Sequence, residues 1–174
     1  VFTMGKGGVG KTTIAATIAL GLAEKGKKVH LATTDPAAHL GYIIQESDAI
    51  KMSRIDEKQE LADYQEEVLT KARQTMSPED LAYVEEDLRS PCTQEIAVFR
   101  RFADIVATVD ADVVVIDTAP TGHTLLLLDS SQSYAKEVER TSGEVPESVR
   151  QLLPVLQDPQ QTEVVMVTLP ENTP

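Results

Sequence analysis

A glycine-rich loop near the start of the chain constrains the fold more than any other feature. Its residues are Gly5-Lys6-Gly7-Gly8-Val9-Gly10-Lys11-Thr12-Thr13, which match the G-x-x-x-x-G-K-[ST] pattern of a phosphate-binding loop. The apolar residues 1–4 before the loop are typical of a strand, and residues 12–25 have the composition of a helix. Because the pattern lies between a strand and a helix, it predicts a nucleotide site rather than a glycine-rich turn without a ligand.

The residue types in this loop have the properties that a polyphosphate requires. Glycine allows the backbone to wrap around the phosphates with successive N–H groups pointing inward, and the following helix adds the positive end of its dipole. We expect the loop to bind ATP, with Lys11 reaching the β- and γ-phosphates and Thr12 offering its hydroxyl to Mg²⁺. ATP and Mg²⁺ are therefore the predicted cofactors.

Strand-like and helical segments alternate along the chain, which predicts an α/β fold with a mostly parallel P-loop sheet flanked by helices. Strands are predicted at 1–4, 28–33, 111–116 and 163–168. The interval between the second and third strands is longer than one crossover helix needs, and its periodic, charge-rich segments predict a helical insertion over 50–109. We expect one ATPase domain over 1–174 that is incomplete at both ends, since the chain lacks an initial Met and stops after an apolar run.

Charge and cysteine content restrict the partners of such a domain. The chain has 28 acidic and 16 basic residues and a net charge of −12, which argues against nucleic acid as a partner because nucleic-acid binders normally carry the opposite sign. No apolar segment has the length of a membrane span. The single cysteine, Cys92, allows no disulfide framework, and together with ATP chemistry this favours the cytosol.

Two aspartates follow predicted strands at the end where ligands bind in open parallel sheets. Asp117 follows the apolar run 113–116 and is expected in the shell of the Mg²⁺ ion, although it could instead cap the next helix. Asp35 follows the second strand, where its carboxylate could accept a hydrogen bond from an attacking water; a helix N-cap role is equally compatible with the sequence. Gly5, Asp35 and Asp117 should converge on one crevice.

Three segments carry a resemblance to a known family. The loop with its extra lysine resembles the deviant phosphate loop of the class that includes nitrogenase iron protein and the partition and cell-division ATPases. Two further segments resemble the arsenical pump-driving ATPases and the related ATPases that target tail-anchored membrane proteins: Asp35-Pro36-Ala37-Ala38-His39 and Asp117-Thr118-Ala119-Pro120-Thr121-Gly122-His123-Thr124. Residues 85–99 resemble the arsenical ATPases in particular, most of all their second nucleotide-binding half.

The resemblance implies roles for the residues that match the family pattern. Lys6 corresponds to the signature lysine, which reaches the phosphates of the opposing half or subunit, so a second homologous ATPase half is an implied partner. Without the resemblance, Lys6 would be read as an exposed loop lysine. Asp35 corresponds to the aspartate that positions water, and the segment from Asp117 corresponds to the switch that couples the γ-phosphate to distant helices. Catalysis is thus assigned to Asp35, Lys6 and Lys11.

The resemblance also implies a metalloid site at Cys92, Ser90 and His123. Ser90 and Pro91 have the pattern of a helix start, which would place Cys92 where the helix dipole favours a thiolate. Trivalent arsenic and antimony are soft centres that favour sulfur ligands. Taken alone, however, Cys92 could be a small packed hydrophobe and His123 a polar residue at a helix start. The remaining metalloid ligands would come from the second ATPase half.

These observations lead to one preferred function and two alternatives. The preferred one is ATP hydrolysis stimulated by arsenite or antimonite, which energises efflux through an integral membrane protein, with the ATPase cytoplasmic and peripheral to the membrane. The first alternative is an ATP-dependent targeting factor for tail-anchored membrane proteins. The second, a partition or division-site ATPase, is disfavoured by residues 117–124 and by the acidic charge.

Overall fold

The computed structural model describes residues 1–35, 40–118 and 147–170, without the side chains of Pro91, Cys92 and Leu153. It divides into two compact units. The first contains Val1–Ile55, Thr108–Gly122 and Val155–Pro174, and the second contains Asp56–Ala107 and His123–Pro154. The elements in chain order are β1 (Phe2–Met4), α1 (Lys11–Glu24), β2 (Val29–Thr33), α2 (Leu40–Ile43), β3 (Ile50–Arg54), α3 (Glu57–Thr75), α4 (Pro78–Asp87), α5 (Pro91–Thr108), β4 (Val113–Asp117), α6 (Glu147–Gln157) and β5 (Val164–Met166).

The first unit is built on a five-stranded sheet of order β3-β2-β4-β1-β5. Every strand pairing that the structure describes in this sheet is parallel, and the carboxyl ends of all five strands therefore lie along one edge. The predicted α/β fold is confirmed. The four strands expected from the sequence correspond to β1, β2, β4 and β5.

Strand β3 was not expected, because residues 50–54 were assigned to the helical insertion over 50–109. That assignment is wrong for these residues: Ile50–Arg54 pairs in parallel with β2 along its whole length. The segment contains one β-branched residue and two basic ones, so it lacks the apolar character of a central strand. The helices begin later, at α3, where the Asp56 side chain caps the helix by accepting the N–H groups of Lys58 and Gln59.

Helix α1 packs on the sheet through small residues. Ala15, Ala16 and Ala19 have no exposed surface and lie in one apolar cluster with Leu31 of β2 and Val115 of β4, which are likewise fully buried. Alanine carries a single methyl group, so the helix axis can approach the strands closely. This packing fixes the start of α1, and with it Lys11 and Thr12, over the carboxyl ends of the strands.

The second unit contains α3, α4 and most of α5. Tyr64 and Val68 of α3 are buried, as are Phe99 and Phe102 of α5. Arg100 of α5 lies 5.0 Å from the centre of the Tyr64 ring. The buried positions of α5, which lie three residues apart, mark the apolar face of an amphipathic helix. Among the described residues, no helix is long and apolar enough to span a membrane.

The first residue of the phosphate loop must be glycine for two reasons. Gly5 has a φ angle of 151°, in a region that side chains disfavour. A Cβ atom at this position would also collide with the carbonyl oxygen of Val167, in the segment directly after β5. That segment is held in place because the Val167 N–H donates to the Met4 carbonyl oxygen at 2.7 Å. The first residue of the loop is therefore packed against the backbone of Val167, which is itself held by β1.

We expect Gly5→Ala to lower the free energy of unfolding by at least ~1 kcal/mol, because it combines a disfavoured φ with a backbone collision. Gly21→Ala is the matched control, since Gly21 lies within α1 and an added Cβ there meets nothing within 4 Å. The control should raise the free energy of unfolding by ~0.5–1 kcal/mol through helix propensity. Urea unfolding followed by circular dichroism measures both, and equal effects of the two variants would contradict the packing described for Gly5.

Candidate nucleotide-binding site

The phosphate loop leads directly into α1. Gly8 (φ 79°) and Gly10 (φ 94°) adopt left-handed backbone conformations that only glycine accepts readily. Gly10 is the N-cap of α1 and has no side chain with which to cap the first N–H groups of the helix. Those N–H groups and the dipole of α1 are the features of an anion site at a helix N-terminus. The only apolar side chain of the loop, Val9, is buried beneath it.

Lys11 is buried although it carries a charge. Its side chain is 5 % exposed, and its Nζ donates to the carbonyl oxygen of Lys6 at 3.0 Å. The Lys11 ammonium thus lies against the loop backbone, on the side where the phosphate-loop pattern places the phosphates. Lys6 itself is exposed.

Asp117 lies at the carboxyl end of β4 and connects the loop to the sheet. Its Oδ2 accepts hydrogen bonds from the Thr12 hydroxyl at 2.7 Å and from the Thr33 hydroxyl at 3.2 Å. The strand register explains this arrangement, because Asp117 stands opposite Thr33 of β2 on one side and Thr3 of β1 on the other. Thr12 reaches the same carboxylate from the first turn of α1.

The second oxygen of this carboxylate, Oδ1, is buried and has no hydrogen-bond partner among the described residues. Asp117 has no exposed surface, and this burial raises the pKa of its carboxyl above the ordinary value of 3.8. The negative charge of Asp35 raises the pKa further, whereas the hydrogen bonds from Thr12 and Thr33 and the charge of Lys11 oppose the shift. The two hydrogen bonds and Lys11 thus compensate the charge of an ionised Asp117 only in part.

A divalent cation fits these residues. Mg²⁺ prefers oxygen ligands and is usually held by one or two carboxylates together with phosphates and water, rather than by a complete cage of protein groups. Thr12 and Asp117 offer a hydroxyl and a buried carboxylate beside the loop that would hold the phosphates. The unpartnered Oδ1 could ligate a cation directly or accept a hydrogen bond from water bound to that cation.

Asp35 follows β2 at the same edge of the sheet. Its backbone N–H donates to the Thr33 hydroxyl oxygen at 3.1 Å, and its side chain is half-buried. Asp35 is close enough to Asp117 for its charge to raise the pKa of that carboxyl. The structure therefore brings together Gly5, Asp35 and Asp117 at one strand edge, as expected from the positions of the strand ends. Residues 36–39, on which a helix-capping role of Asp35 depends, lie outside the described residues.

The predicted metalloid residues are only partly described. Ser90 directly precedes α5, its carbonyl oxygen accepts the Thr93 N–H at 3.1 Å, and its hydroxyl lies 3.1 Å from that of Thr93. Cys92 is the second residue of α5, so the expected helix start at Ser90 and Pro91 is confirmed. The side chain of Cys92 and all of His123 lie outside the described residues. The metalloid site stays a prediction.

Thr33 is the site residue that the sequence did not single out. It is 2 % exposed and its hydroxyl contacts both the Asp35 backbone and the Asp117 carboxylate. A threonine at the end of a strand is unremarkable by itself, because β-branched residues are common in strands. Only the strand order and register, which place Thr33 opposite Asp117, reveal the contact.

A parallel α/β sheet with a glycine-rich loop, a buried loop lysine and a strand-end aspartate bound to the loop threonine defines a P-loop nucleotide-binding domain. Residues 1–145 match the family model described as anion-transporting ATPase, and the chain belongs to this family. The resemblance drawn from residues 6–13, 35–39 and 117–124 is thereby confirmed.

Relatives of known name agree with this membership. The chain is 47 % identical over 175 residues to an arsenical pump-driving ATPase of Escherichia coli, and 46 % identical over 175 residues to one of Acidiphilium multivorum. Both alignments cover 100 % of this chain and 30 % of the relative, so the chain spans less than a third of the length of these proteins. It is 30 % identical over 156 residues to the ATPase get3 of Schizosaccharomyces japonicus, covering 82 % of this chain and 47 % of that protein.

We expect Asp117→Asn to lower the affinity for magnesium nucleotide tenfold or more, by analogy with the ~10–100-fold losses seen when residues supporting a metal are changed. In wild type, Mg²⁺ added to ADP should raise the unfolding temperature beyond the effect of ADP with EDTA, because the cation satisfies the buried carboxylate. The variant should lose this increment.

Asp112→Asn provides the matched control, because Asp112 directly precedes the first residue of the same strand, far from the phosphate loop. Its carboxylate accepts the Lys28 N–H, a hydrogen bond that an amide oxygen retains. The control should keep the magnesium-dependent increment of wild type. An increment of equal size in Asp117→Asn and wild type would show that Asp117 does not support the cation.

Proposed function

We propose that this chain is a Mg²⁺-dependent ATPase domain whose hydrolysis of ATP is stimulated by arsenite or antimonite and energises efflux of the metalloid through an integral membrane protein. The observation that carries the ATPase proposal is the buried Asp117 carboxylate bonded to the phosphate-loop residue Thr12. Membership of the anion-transporting ATPase family and the 47 % identity to an arsenical pump-driving ATPase support the transport proposal.

In the proposed mechanism, the N–H groups of the loop and the Lys11 ammonium bind the β- and γ-phosphates of ATP. Thr12 and Asp117 would hold a Mg²⁺ ion, which would supply positive charge to the transferring phosphoryl group. Asp35 accepts a hydrogen bond from the attacking water and orients it toward the γ-phosphate. Since phosphoryl transfer depends mainly on position and charge, rigid support of these residues matters more than strong acid–base chemistry.

We assign Lys6 and the metalloid residues to contacts with a second ATPase half or subunit. Lys6 is exposed, so its ammonium is accessible to phosphates bound by such a partner. Cys92, with Ser90 and His123, would provide one thiolate and two weaker ligands, and the partner would add the further sulfur ligands that trivalent metalloids favour. The relatives are more than three times as long as the aligned part, which leaves room for a second half.

The helices between β3 and β4 provide a route between the two sites in this proposal. We propose that α3, α4 and α5 act as an insertion subdomain, since α3 begins directly after β3, and Cys92 lies in the first turn of α5. Metalloid binding at the start of α5 would then act on the strand that follows that helix, β4, which ends at Asp117. The protein would work in the cytoplasm, peripheral to the membrane through its transport partner.

The competing proposal is a targeting factor for tail-anchored membrane proteins. Such a factor must bind an apolar client segment, and its ATPase would have no need of a thiophilic ligand. The lower identity to ATPase get3, 30 % against 47 % for the arsenical ATPase of Escherichia coli, favours the metalloid proposal.

The deciding experiment is ATP hydrolysis by the complete protein with and without antimonite. We expect antimonite to raise kcat, and Cys92→Ser to lose most of this stimulation while the basal rate survives, because a serine hydroxyl is a poor ligand for a soft centre. Lys11→Ala should abolish both rates, since the ammonium that binds the phosphates is gone.

Two outcomes would contradict the proposal. If antimonite leaves the rate of wild type unchanged and Cys92→Ser has no effect, the metalloid role fails and the targeting factor becomes the better proposal. Capture of a tail-anchored segment by the ATP-bound protein would then be the next measurement. If Lys11→Ala hydrolyses ATP like wild type, the assignment of the site itself is wrong.

A further inference from the structure

We propose that the buried hydroxyl of Thr33 is a positioning group that couples the backbone at Asp35 to the carboxylate of Asp117. This inference rests on the proposed ATPase function, because the two residues that Thr33 joins are those assigned to water and to Mg²⁺. Thr33 touches neither ATP nor the reacting atoms in this proposal. It acts through the two aspartates.

The first support is the direction of the two hydrogen bonds. The Thr33 hydroxyl has one proton and lone pairs that accept. The Asp35 backbone N–H can only donate, so Thr33 accepts at 3.1 Å. An ionised Asp117 can only accept, so the single Thr33 proton is committed to its Oδ2 at 3.2 Å. A movement of the Asp35 backbone therefore acts directly on the group that holds the carboxylate.

The second support is the rigidity of Thr33 itself. Its carbonyl oxygen accepts the Ile55 N–H at 2.9 Å from the β3 side, and the next residue, Thr34, donates its N–H to the Asp117 carbonyl oxygen at 3.1 Å on the β4 side. The side chain is 2 % exposed and β-branched, which restricts its χ1 angle. The Thr33 hydroxyl is thus held in a fixed position between the backbone of Asp35 and the carboxylate of Asp117.

The third support is how Asp117 is shared. Thr12 and Thr33 both donate to Oδ2, one from the phosphate loop and one from the sheet, and Oδ1 is left to other ligands. Two donors on one oxygen restrict rotation of the carboxylate. Loss of the Thr33 bond would leave its orientation to Thr12 alone, so a nucleotide-dependent shift of the Asp35 segment would change how Asp117 meets the cation.

The test compares Thr33→Val, which keeps the shape and removes the hydroxyl, with Thr33→Ser, which keeps the hydroxyl. Thr3→Val is the matched control: Thr3 is fully buried in the neighbouring strand β1, stands opposite Asp117, and donates to a backbone carbonyl, that of Ile116, at 3.3 Å. Thr33→Val breaks two hydrogen bonds, one to Asp117 and one from Asp35, whereas Thr3→Val breaks one. Both variants should lose thermal stability, and the loss in Thr33→Val should be at least as large.

We expect kcat of Thr33→Val to fall ~10–100-fold and the Mg²⁺ concentration for half-maximal rate to rise several-fold, as when a group supporting a metal ligand is removed. The KM for ATP should change less than about threefold, because the phosphate loop is intact. Thr33→Ser should restore most of kcat, and Thr3→Val should keep the kcat of wild type. If Thr33→Val and Thr3→Val have equal kcat, or if Thr33→Ser fails to recover activity, the proposal is overturned.

A readout independent of hydrolysis separates this proposal from the proposed function. Hydrogen–deuterium exchange of a peptide containing Asp35 should be faster in Thr33→Val than in wild type or Thr3→Val, because the amide has lost its acceptor. If wild type hydrolyses no ATP but the exchange difference is present, the ATPase function fails, the comparison of kcat no longer applies, and the hydrogen bond that ties the Asp35 backbone to Thr33 stands. Unchanged exchange at Asp35 in Thr33→Val overturns the coupling, whatever the rate of hydrolysis.

Discussion

A single desolvated carboxylate organises the site. Asp117 has no exposed surface, and burial is the main cause of its raised pKa. Two threonine hydroxyls reduce the cost of that burial without removing it, because one of the two oxygens remains unpartnered among the described residues. Burying this carboxylate beside the phosphate loop therefore lowers the stability of the fold. A bound cation would remove that cost, so the same burial raises the affinity for a cation.

The sheet holds this carboxylate in place by backbone geometry. Parallel pairing of β2, β4 and β1 places Thr33, Asp117 and Thr3 side by side, and three fully buried alanines allow α1 to lie close to the strands. Lys11 and Thr12 then reach the strand edge from the first turn of that helix. Close packing of this kind transmits small displacements, because tightly packed elements have few alternative arrangements.

Much of this could be predicted because the decisive signals are local. The pattern of residues 5–13 predicts a strand before the loop and a helix after it, and the apolar run before Asp117 predicts a buried strand. Strand β3 escaped prediction because an edge strand needs no continuous apolar run; its Lys51 is exposed and Met52 only half-buried. Thr33 escaped for a different reason, since its contact with Asp117 spans 84 positions of sequence and exists only through strand register.

The bond between Lys11 and the carbonyl oxygen of its own loop affects how the domain releases what it binds. A phosphate that arrives must displace this carbonyl, so the ammonium exchanges one acceptor for another instead of leaving bulk water. The Lys6 carbonyl can accept the hydrogen bond again when the phosphate leaves. The buried Lys11 ammonium therefore has an acceptor both with and without phosphate. The loop carbonyl therefore reduces both the net gain from binding a phosphate and the net cost of losing one.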